Sequence, residues 1–494
     1  MIDFIRENMA PILFGGLVLF LLIGYPAAFS LAAVGLFGGL AAIELGLIGP
    51  QFLGNLTYQL YGVLSNELLL AIPFFTLMGV ILEKSGMAED LLEGFGQLFG
   101  GVRGGLSYAV IIVGAILGAI TGTVAASVIA MGLISLPVMM RYGYNIRHAT
   151  GVIAASGTIT QLIPPSLVLI VLADQLQRSP GEMYIGATGA SIVQVLLFMG
   201  WVFVLSIIRP QDVPALPPEA RTLRGWALWK VIIRGTVPSL ALIFIVLGTI
   251  LLGLVTPTEA GAMGVVGALL LAWMNGRLTW AVTWGGMLST MRLTAMVVFI
   301  LLGARVFTLV FQGVGGGHWI EELLSNLPGG VVGFLIFVNI FVFILAFFLD
   351  FFEIAFIVIP LLAPVAESMG INLVWFGVMI CANMQTSFMH PPFGFALFYL
   401  RGIVPRDKVK TTDIYMGAIP WLVLQLILVG LLIAFPQLVT YFLDTPVDVD
   451  LDTIHIVLPS TGGAETLPGF TAPPPPSFGP PPAPSFVTPP PPTF

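Results

Sequence analysis

Residues 383–394 read NMQTSFMHPPFG, a polar segment that ends in two prolines and a glycine inside an apolar stretch from 371 to 400. The whole stretch is long enough to cross a bilayer, which takes about 20 residues. In hydrocarbon, a backbone group that a proline leaves unpaired must find another partner, and polar side chains are costly. We therefore interpret this segment as a functional break in a membrane helix.

The composition predicts an all-α polytopic membrane protein. Of the 494 residues, 57% are hydrophobic and 9% are charged, whereas soluble domains carry about 25% charged residues. The single cysteine, Cys381, excludes an intramolecular disulfide, and the four histidines have no ligand spacing, so we expect no transition metal and no cofactor. A Walker-type phosphate loop is absent from the sequence, which argues against ATP hydrolysis.

The broken stretch has a counterpart earlier in the chain, GTITQLIPPS at 157–166. At an offset of 227 residues, Pro137, Gly143, Asn145, Pro164 and Pro165 recur as Pro364, Gly370, Asn372, Pro391 and Pro392. Five predicted crossings separate the copies, at 148–174, 183–208, 235–254, 258–275 and 290–312. An odd number turns the second copy over in the membrane, so we predict an inverted repeat, which is typical of secondary transporters.

Each copy also contains a hydrophobic hairpin, at 104–140 and at 331–368. The midpoint of the first is Thr121-Gly122-Thr123, and the midpoint of the second is Asp350, the offset partner of Thr123. Each arm has about 17 residues, the lower limit for a span, so we predict two re-entrant hairpins. They would face two broken helices, at 148–174 and 373–400.

Hairpin tips and broken helices expose carbonyl oxygens and amides that lack a helical partner. Carbonyl and hydroxyl oxygens suit a small monovalent cation, and half-helix N-termini attract a carboxylate. The candidate ion ligands are Thr121, Thr123, Thr158 and Thr160 in the first copy, and Asp350, Gln385, Thr386 and Ser387 in the second. The candidate substrate-binding residues are Pro164, Pro165, Ser166, Asn383, His390, Pro391 and Pro392.

Three further features leave alternatives open or predict structure. Asp350 and Glu353 are three apart and would share a helix face, and an ionisable residue at membrane depth indicates function. His390 is either a proton-sensitive group or a packing histidine. The stretch Thr256-Pro257-Thr258-Glu259 has the pattern of a helix-capping box, which predicts a helix start without any ligand.

Lysine and arginine clusters at 141–147, 209–234 and 401–410 predict three cytoplasmic segments, with both termini in the periplasm. The last residues are acidic and then rich in proline, which predicts disorder. The predicted segments are N-terminal scaffold helices at 1–67, a first repeat at 68–208, a cytoplasmic linker at 209–234, a second repeat at 235–412, a C-terminal membrane helix at 413–445 and a disordered tail at 446–494.

These residues resemble a known transporter family over about 8–440. The similar pieces are AIPFFTLMGVILEKSG (71–86), GAITGTVAASVIAMGLISLPVMMRYGY (118–144), GTITQLIPPS (157–166), TPTEAGA (256–262), LDFFEIAFIVIPLLAPVAESMGI (349–371) and WFGVMICANMQTSFMHPPFGFALF (375–398). The chain resembles the large membrane subunit (M subunit) of the tripartite ATP-independent periplasmic (TRAP) transporters.

The resemblance implies an elevator-type transporter in the bacterial inner membrane, in which a transport domain slides against a scaffold. It also implies two partners, a small four-helix membrane subunit and a soluble periplasmic binding protein that delivers an organic acid. Sodium would drive uptake, with one ion near Thr121, Gly122, Thr123, Thr158 and Thr160 and a second near Asp350, Gln385, Thr386 and Ser387. The LDFFEIAF stretch is similar to a subgroup associated with 2-oxo acids and other monocarboxylates.

Three other functions remain open at the level of sequence. A sodium-coupled transporter of the dicarboxylate or citrate kind, working alone, would share the inverted repeat. An intramembrane enzyme could use Asp350 and His390, but it would need a second carboxylate, for which Glu353 is the candidate. A scaffold or receptor without transport would not need two mirrored backbone breaks.

Overall fold

The computed structural model describes residues 2–405 and 407–443, and every regular element in this part of the chain is a helix. Eight helices are long and apolar enough to span a membrane, and ten spans result if each of two bent pairs counts as one. The predicted all-α polytopic architecture is confirmed. Arg406, the side chain of Thr121 and the tail predicted at 446–494 lie outside the described residues.

The N-terminal helices precede the first hairpin. They are α1 (Ile2–Glu7), α2 (Met9–Ile23), α3 (Ala27–Glu44), α4 (Leu56–Leu64), α5 (Ala71–Lys84) and α6 (Met87–Phe99). Helix α2 stops at Gly24, whose φ of +94° is left-handed, and α3 starts directly after Pro26. A left-handed glycine ends helices because it lacks a Cβ. The long N-terminal apolar run therefore forms two helices.

The first repeat contains a helical hairpin followed by a broken helix. Its elements are α7 (Gly105–Thr121), α8 (Val124–Arg141), α9 (Ile146–Thr158), a 3₁₀ turn at Ile159–Gln161, α10 (Leu167–Gln175) and α11 (Pro180–Ile208). Only Gly122 and Thr123 separate α7 from α8. The break between α9 and α10 contains the cis peptide bond Pro164-Pro165.

Four helices connect the two hairpins after α11. They are α12 (Trp226–Leu251), α13 (Pro257–Met274), α14 (Trp280–Gly313) and α15 (Gly316–Ser325). Helix α12 begins at Trp226, inside the linker predicted at 209–234. Its first turns have an exposed side with Lys230 and Arg234, four residues apart, and a buried side with Ile232. The capping box at the start of α13 is confirmed: the Thr256 amide donates to Glu259 Oε2 at 2.8 Å and the Glu259 amide donates to Thr256 Oγ1 at 3.3 Å.

The second repeat follows the order of the first. Counted from its hairpin, and including the C-terminal membrane helix that the sequence predicts at 413–445, its elements are α16 (Gly330–Leu345), α17 (Phe351–Glu353), a π-helical turn at Ile354–Val358, α18 (Ile359–Ser368), α19 (Leu373–Ser387), α20 (Phe395–Ile403), α21 (Thr411–Ala434) and α22 (Gln437–Thr440). Residues 351–368 match α8 at the predicted offset of 227, and α19 starts at the same offset from α9.

Local geometry repeats as well. Asn145 and Asn372 each cap the next helix by accepting a backbone amide at 2.9 Å, and the peptide bond Pro391-Pro392 is also cis. The internal duplication predicted from the sequence is confirmed in helix boundaries, caps and breaks.

Candidate ion and substrate site

The first hairpin packs directly on the first broken helix. A Cβ on Gly118 would lie 3.0 Å from Thr160 Cα, and a Cβ on Gly114 would lie 2.7 Å from Ser156 Cβ. Small residues at such positions let membrane helices approach closely. The structure therefore brings the end of α7 to the turn that contains Thr160, as the ion-site hypothesis requires.

At the tip of the first hairpin, the Thr123 hydroxyl does not cap the helix that follows it. Gly122 has a left-handed φ of +62°, and Thr123 is extended, with φ −128° and ψ 131°. Thr123 occupies the N-cap position of α8, yet its side chain makes no capping hydrogen bond. Its oxygen is thus available to a ligand.

The hydroxyls of Thr158 and Thr160 are fully buried and each makes a local hydrogen bond. Thr158 Oγ1 donates to the Ala155 carbonyl at 2.8 Å and accepts Gln425 Nε2 at 2.8 Å, while Thr160 Oγ1 donates to the Gly157 carbonyl. A hydroxyl has one donor and two acceptor lone pairs. Local bonding of this kind therefore leaves lone pairs on both oxygens for a cation.

In the second repeat, Asp350 caps a helix and does not lie on a helix face. The Asp350 amide donates to Glu353 Oε2 at 3.0 Å, and the Glu353 amide donates to Asp350 Oδ1 at 3.1 Å. The expectation that Asp350 and Glu353 share a face of one helix is wrong, because Asp350 has an extended backbone and α17 begins after it. The Asp-x-x-Glu spacing is the same capping signal that the sequence shows at Thr256.

The other proposed second-site residues end helix α19. Thr386 Oγ1 donates to the Asn383 carbonyl at 2.6 Å, Ser387 Oγ donates to the Met384 carbonyl at 2.5 Å, and Gln385 Oε1 accepts Gln194 Nε2. These side chains are buried. Within the described residues, none of their hydrogen bonds reaches Asp350, so the structure does not join the two halves of the predicted second site directly.

His390 is one of the residues through which the second hairpin and the second break are in contact. Its ring is 2% exposed and stacks on Phe347 with ring centroids 3.6 Å apart, while Phe343 meets it edge-on at 5.5 Å. Neither ring nitrogen has a hydrogen-bond partner among the described residues. A buried polar atom without a partner is costly unless a ligand or water satisfies it.

The candidate substrate residues differ in exposure between the two breaks. Pro164, Pro165 and Ser166 are buried, and Ser166 Oγ donates to the Gln161 carbonyl at 2.6 Å while it caps α10. In the second break Pro391 is half-buried and Pro392 is exposed. The second break is therefore the more open of the two in this structure.

Asn383 and two glutamines link the site to its surroundings. Asn383 Nδ2 donates to the Asn339 carbonyl of α16 at 2.7 Å, which ties the second hairpin to the second broken helix. Sequence reasoning missed Gln194 and Gln425, which contact Gln385 and Thr158 from α11 and α21. Their signal was a polar residue inside an otherwise apolar helix, which is costly in lipid unless it has a partner.

The atoms of these candidate residues that could coordinate a cation are oxygens of hydroxyls, amides, carbonyls and one carboxylate. Such hard ligands suit a small cation, whereas a transition metal prefers imidazole or thiolate. In the part of the chain that the structure describes, no three His, Cys, Asp or Glu residues are grouped to hold a metal ion.

Comparison with known proteins places this chain in a family. Residues 14–438 match the family model described as tripartite ATP-independent periplasmic transporter, DctM component. The chain is 30% identical over 449 residues to the C4-dicarboxylate TRAP transporter large permease protein DctM of Rhodobacter capsulatus, covering 87% of this chain and 96% of that protein. It is 31% identical over 404 residues to the protein of the same name from Pseudomonas aeruginosa, covering 80% and 90%.

A solved structure shares the fold at low sequence identity. The crystal structure of the Alcanivorax borkumensis YdaH transporter matches with a TM-score of 0.56 at 14% identity, covering 85% of this chain and 98% of that one. This likeness supports the architecture alone, whereas the family match spans most of the sequence. The chain belongs to the DctM component family of the tripartite ATP-independent periplasmic transporters.

Proposed function

We propose that this chain carries out sodium-coupled uptake of an organic acid that a periplasmic binding protein delivers. The observation that carries the proposal is the mirrored pair of helix breaks, each next to a hairpin, with hydroxyl, amide or carboxylate oxygens beside the break or at the hairpin tip. Unwound backbone and half-helix ends near the midplane are typical sites for sodium and substrate in secondary transporters.

The first sodium ion would bind where the tip of hairpin α7–α8 meets the turn after α9. Thr158 and Thr160 can each offer a lone pair without losing their local hydrogen bonds. Thr123 can offer its uncapped hydroxyl, and the residues at 121 and 122 can offer carbonyl oxygens. The full burial of Thr158 and Thr160 favours an ion that has lost its water shell, because these oxygens are shielded from solvent.

The second sodium ion would bind between Asp350 and the end of α19. The Asp350 carboxylate has acceptor capacity beyond its capping bond. Gln385, Thr386 and Ser387 lie at the C-terminal end of the half-helix, where the Gln385 carbonyl accepts the Phe388 amide and keeps a second lone pair. Because no direct hydrogen bond joins Asp350 to this group among the described residues, we expect the ion itself to bring them together.

The substrate would bind at the two proline breaks through its carboxylate. Helices α10 and α20 begin directly after the breaks, and their N-termini carry partial positive charge and free amides. His390 offers two unpartnered ring nitrogens at the second break. We propose an organic acid as the class, with C4-dicarboxylates, which appear in the names of the relatives above, and 2-oxo or other monocarboxylates as the candidates.

Membership of the family supports a proposal for the partners and the location. We propose that the chain works in the bacterial inner membrane with a small four-helix membrane subunit and the binding protein, and that both its termini are periplasmic. Movement of the hairpins and broken helices against the remaining helices would carry the site across the bilayer in an elevator mechanism.

The test is transport by the full assembly in proteoliposomes. With both partners present, an inward sodium gradient should drive uptake of labelled succinate or pyruvate, and replacing sodium with potassium should abolish it. Uptake that ignores sodium would contradict the coupling. Uptake that continues without the binding protein would favour a stand-alone carboxylate transporter instead.

A further inference from the structure

Gln425 crosses from the second repeat to the first. It lies within the apolar helix α21, is fully buried, and donates its Nε2 to Thr158 Oγ1 at 2.8 Å. Because Thr158 uses its only hydroxyl proton on the Ala155 carbonyl, it must accept from the glutamine. This hydrogen bond therefore sets where the remaining lone pair of the Thr158 oxygen points.

Gln194 makes the mirror-image contact. It lies in α11, is fully buried, and donates its Nε2 to Gln385 Oε1. Gln385 is the partner of Thr158 at the offset of 227, and both residues lie at the C-terminal end of a half-helix. Gln194 and Gln425 occupy the same position in α11 and α21: each is the fifteenth residue of its helix, counted from Pro180 and from Thr411.

At the offset of 227 the residue opposite Gln194 is Trp421, but α21 starts four residues later than that offset predicts, so the two glutamines correspond by their position within the helix. Each of them contacts the opposite copy of the repeat. Each glutamine also keeps a buried amide oxygen without a protein partner among the described residues. Two mirror-related polar residues in otherwise apolar helices are costly unless each makes a specific bond. Packing alone would not require an amide at both places.

We infer that Gln194 and Gln425 are positioning residues that orient the ion ligands of the opposite repeat. The inference rests on the proposed sodium coupling. Gln425 holds the Thr158 hydroxyl toward the first break, and Gln194 holds the Gln385 amide at the second. Without its hydrogen bond to the glutamine, the Thr158 or Gln385 side chain can rotate. Sodium binding then has to order that side chain, which weakens the affinity for sodium.

The experiment uses the full assembly in proteoliposomes, with uptake measured against sodium concentration at saturating substrate. Gln425→Met and Gln194→Met keep the length of the side chain and remove the hydrogen bond. Each should raise the half-saturating sodium concentration about tenfold, equivalent to about 1.4 kcal/mol, while the maximal rate changes much less. Ser30→Ala, which removes a buried hydroxyl bonded to the Pro26 carbonyl at the start of α3, is the control and should leave sodium dependence unchanged.

A background variant separates positioning from general destabilisation. In a Thr158→Val transporter, Gln425→Met should cause no further rise, because the glutamine acts through that hydroxyl. Gln194→Met should still raise the half-saturating sodium concentration in the same background, since its partner is Gln385. If a methionine variant fails to assemble, Gln425→Asn and Gln194→Asn provide the same test, because the shortened amide no longer reaches its partner.

Two results would overturn the inference separately from the proposed function. Glutamine variants with the sodium dependence of the unmodified transporter would overturn it while sodium coupling stands. An equal effect of Gln425→Met with and without Thr158→Val would also overturn it. An unmodified transporter that ignores sodium would contradict the proposed function first, and this inference with it.

Discussion

The Asp350 carboxylate shows how one residue can serve both structure and ion binding. It lies at the start of α17, where it accepts the amide of Glu353. An ionised carboxylate has about four lone-pair sites, so acceptors remain after the cap is made. Its offset partner Thr123 also precedes a helix, but the hydroxyl makes no cap bond. The second copy thus combines a cap and a charge at a place where the first has a free hydroxyl.

Substitutions at Asp350 should separate these two roles. Asparagine caps helices about as well as aspartate, whereas replacing a cap by alanine costs about 1 kcal/mol. We expect Asp350→Asn to keep the thermal stability of the purified chain and to reduce sodium-driven uptake at least about tenfold. Asp350→Ala should lower both stability and uptake. Normal uptake by the asparagine variant would show that the negative charge is not needed at the second ion site.

His390 provides a second test at the residue scale, because its stacking and its ring nitrogens can be separated. His390→Phe keeps an aromatic ring against Phe347 and removes two unpartnered buried nitrogens. We expect this variant to fold normally and to raise the half-saturating substrate concentration about tenfold, if a nitrogen binds the carboxylate. Unchanged substrate dependence would support the packing alternative.

His148 is the matched control for the His390 experiment. Its Nε2 lies 2.8 Å from Ser107 Oγ, and its ring is also buried among aromatic residues. His148→Phe should therefore orphan the Ser107 hydroxyl and lower stability by about 1–3 kcal/mol. Melting of the detergent-solubilised chain measures that loss, while the substrate dependence of uptake should stay unchanged.

At the scale of helices, most boundaries could be predicted because proline and glycine act locally. A left-handed glycine or a proline pair interrupts a helix whatever surrounds it. The two breaks, the junction at Gly24, and the capping box at Thr256 are signals of this kind. Because the proline pairs and their flanking residues recur at a fixed offset, the duplication can be recognised from the sequence alone.

Contacts between distant elements could not be predicted in the same way. A glutamine in an apolar helix indicates that a partner exists, but spacing along the chain does not identify it. Gln425 meets Thr158 only because α21 packs on α9, from the other repeat. The misprediction at Asp350 has another cause. Its spacing to Glu353 fits both a shared helix face and a capping box, and only the position of the helix start, at Phe351, distinguishes these two arrangements.

The approach of the first hairpin to the first broken helix gives a prediction at the scale of helices. A Cβ on Gly157 would lie 2.2 Å from Val128 Cγ2 and 3.1 Å from Val128 N, so Gly157→Ala must push α8 away from α9. Overpacking of this kind costs about 1–3 kcal/mol. We expect lower thermal stability and weaker sodium-driven uptake.

Gly200 in α11 is the control for that substitution. A Cβ at this position would have no neighbouring atom within 4 Å, so Gly200→Ala meets open space. Alanine favours helix by up to about 1 kcal/mol over glycine. Gly200→Ala should therefore be neutral or slightly stabilising, and equal losses in the two variants would contradict the close approach at Gly157.

At the scale of the whole described chain, the buried apolar residues form two clusters that meet at the breaks. One cluster combines the first hairpin with α9, α20 and α21. The other combines α10, α19, the second hairpin and most of the N-terminal and connecting helices. Each broken helix thus has its halves in different clusters, and each cluster takes halves from both repeats. The candidate ion ligands at the ends of α9 and α19 lie where the chain passes from one cluster to the other, whereas Asp350 is flanked by residues of one cluster and Thr123 by residues of the other.

This arrangement bears on the proposed elevator movement. Because the repeats exchange half-helices, we expect them to move as one body, not as two independent halves. The body must then slide against N-terminal helices that it contacts. One such contact is the hydrogen bond from Asn66 Nδ2 to Asp174 Oδ1, at 2.7 Å, between the predicted scaffold and the end of α10.

Linking that contact should stop transport. In a Cys381→Ala background, Asn66→Cys with Asp174→Cys places two thiols where the side chains now meet, and oxidation or a short bifunctional reagent can join them. We expect cross-linking to reduce uptake at least about tenfold and reduction of a disulfide to restore it, because α10 could no longer move past residue 66. The neighbouring pair Glu67→Cys with Thr258→Cys is the control. These residues are also in contact, since Thr258 Oγ1 donates to the Glu67 carbonyl at 2.8 Å, but neither belongs to a hairpin or a broken helix, so cross-linking them should leave uptake unchanged. Full uptake by the cross-linked 66–174 pair would mean that α10 stays fixed to the scaffold, and the sliding body would then have to exclude it.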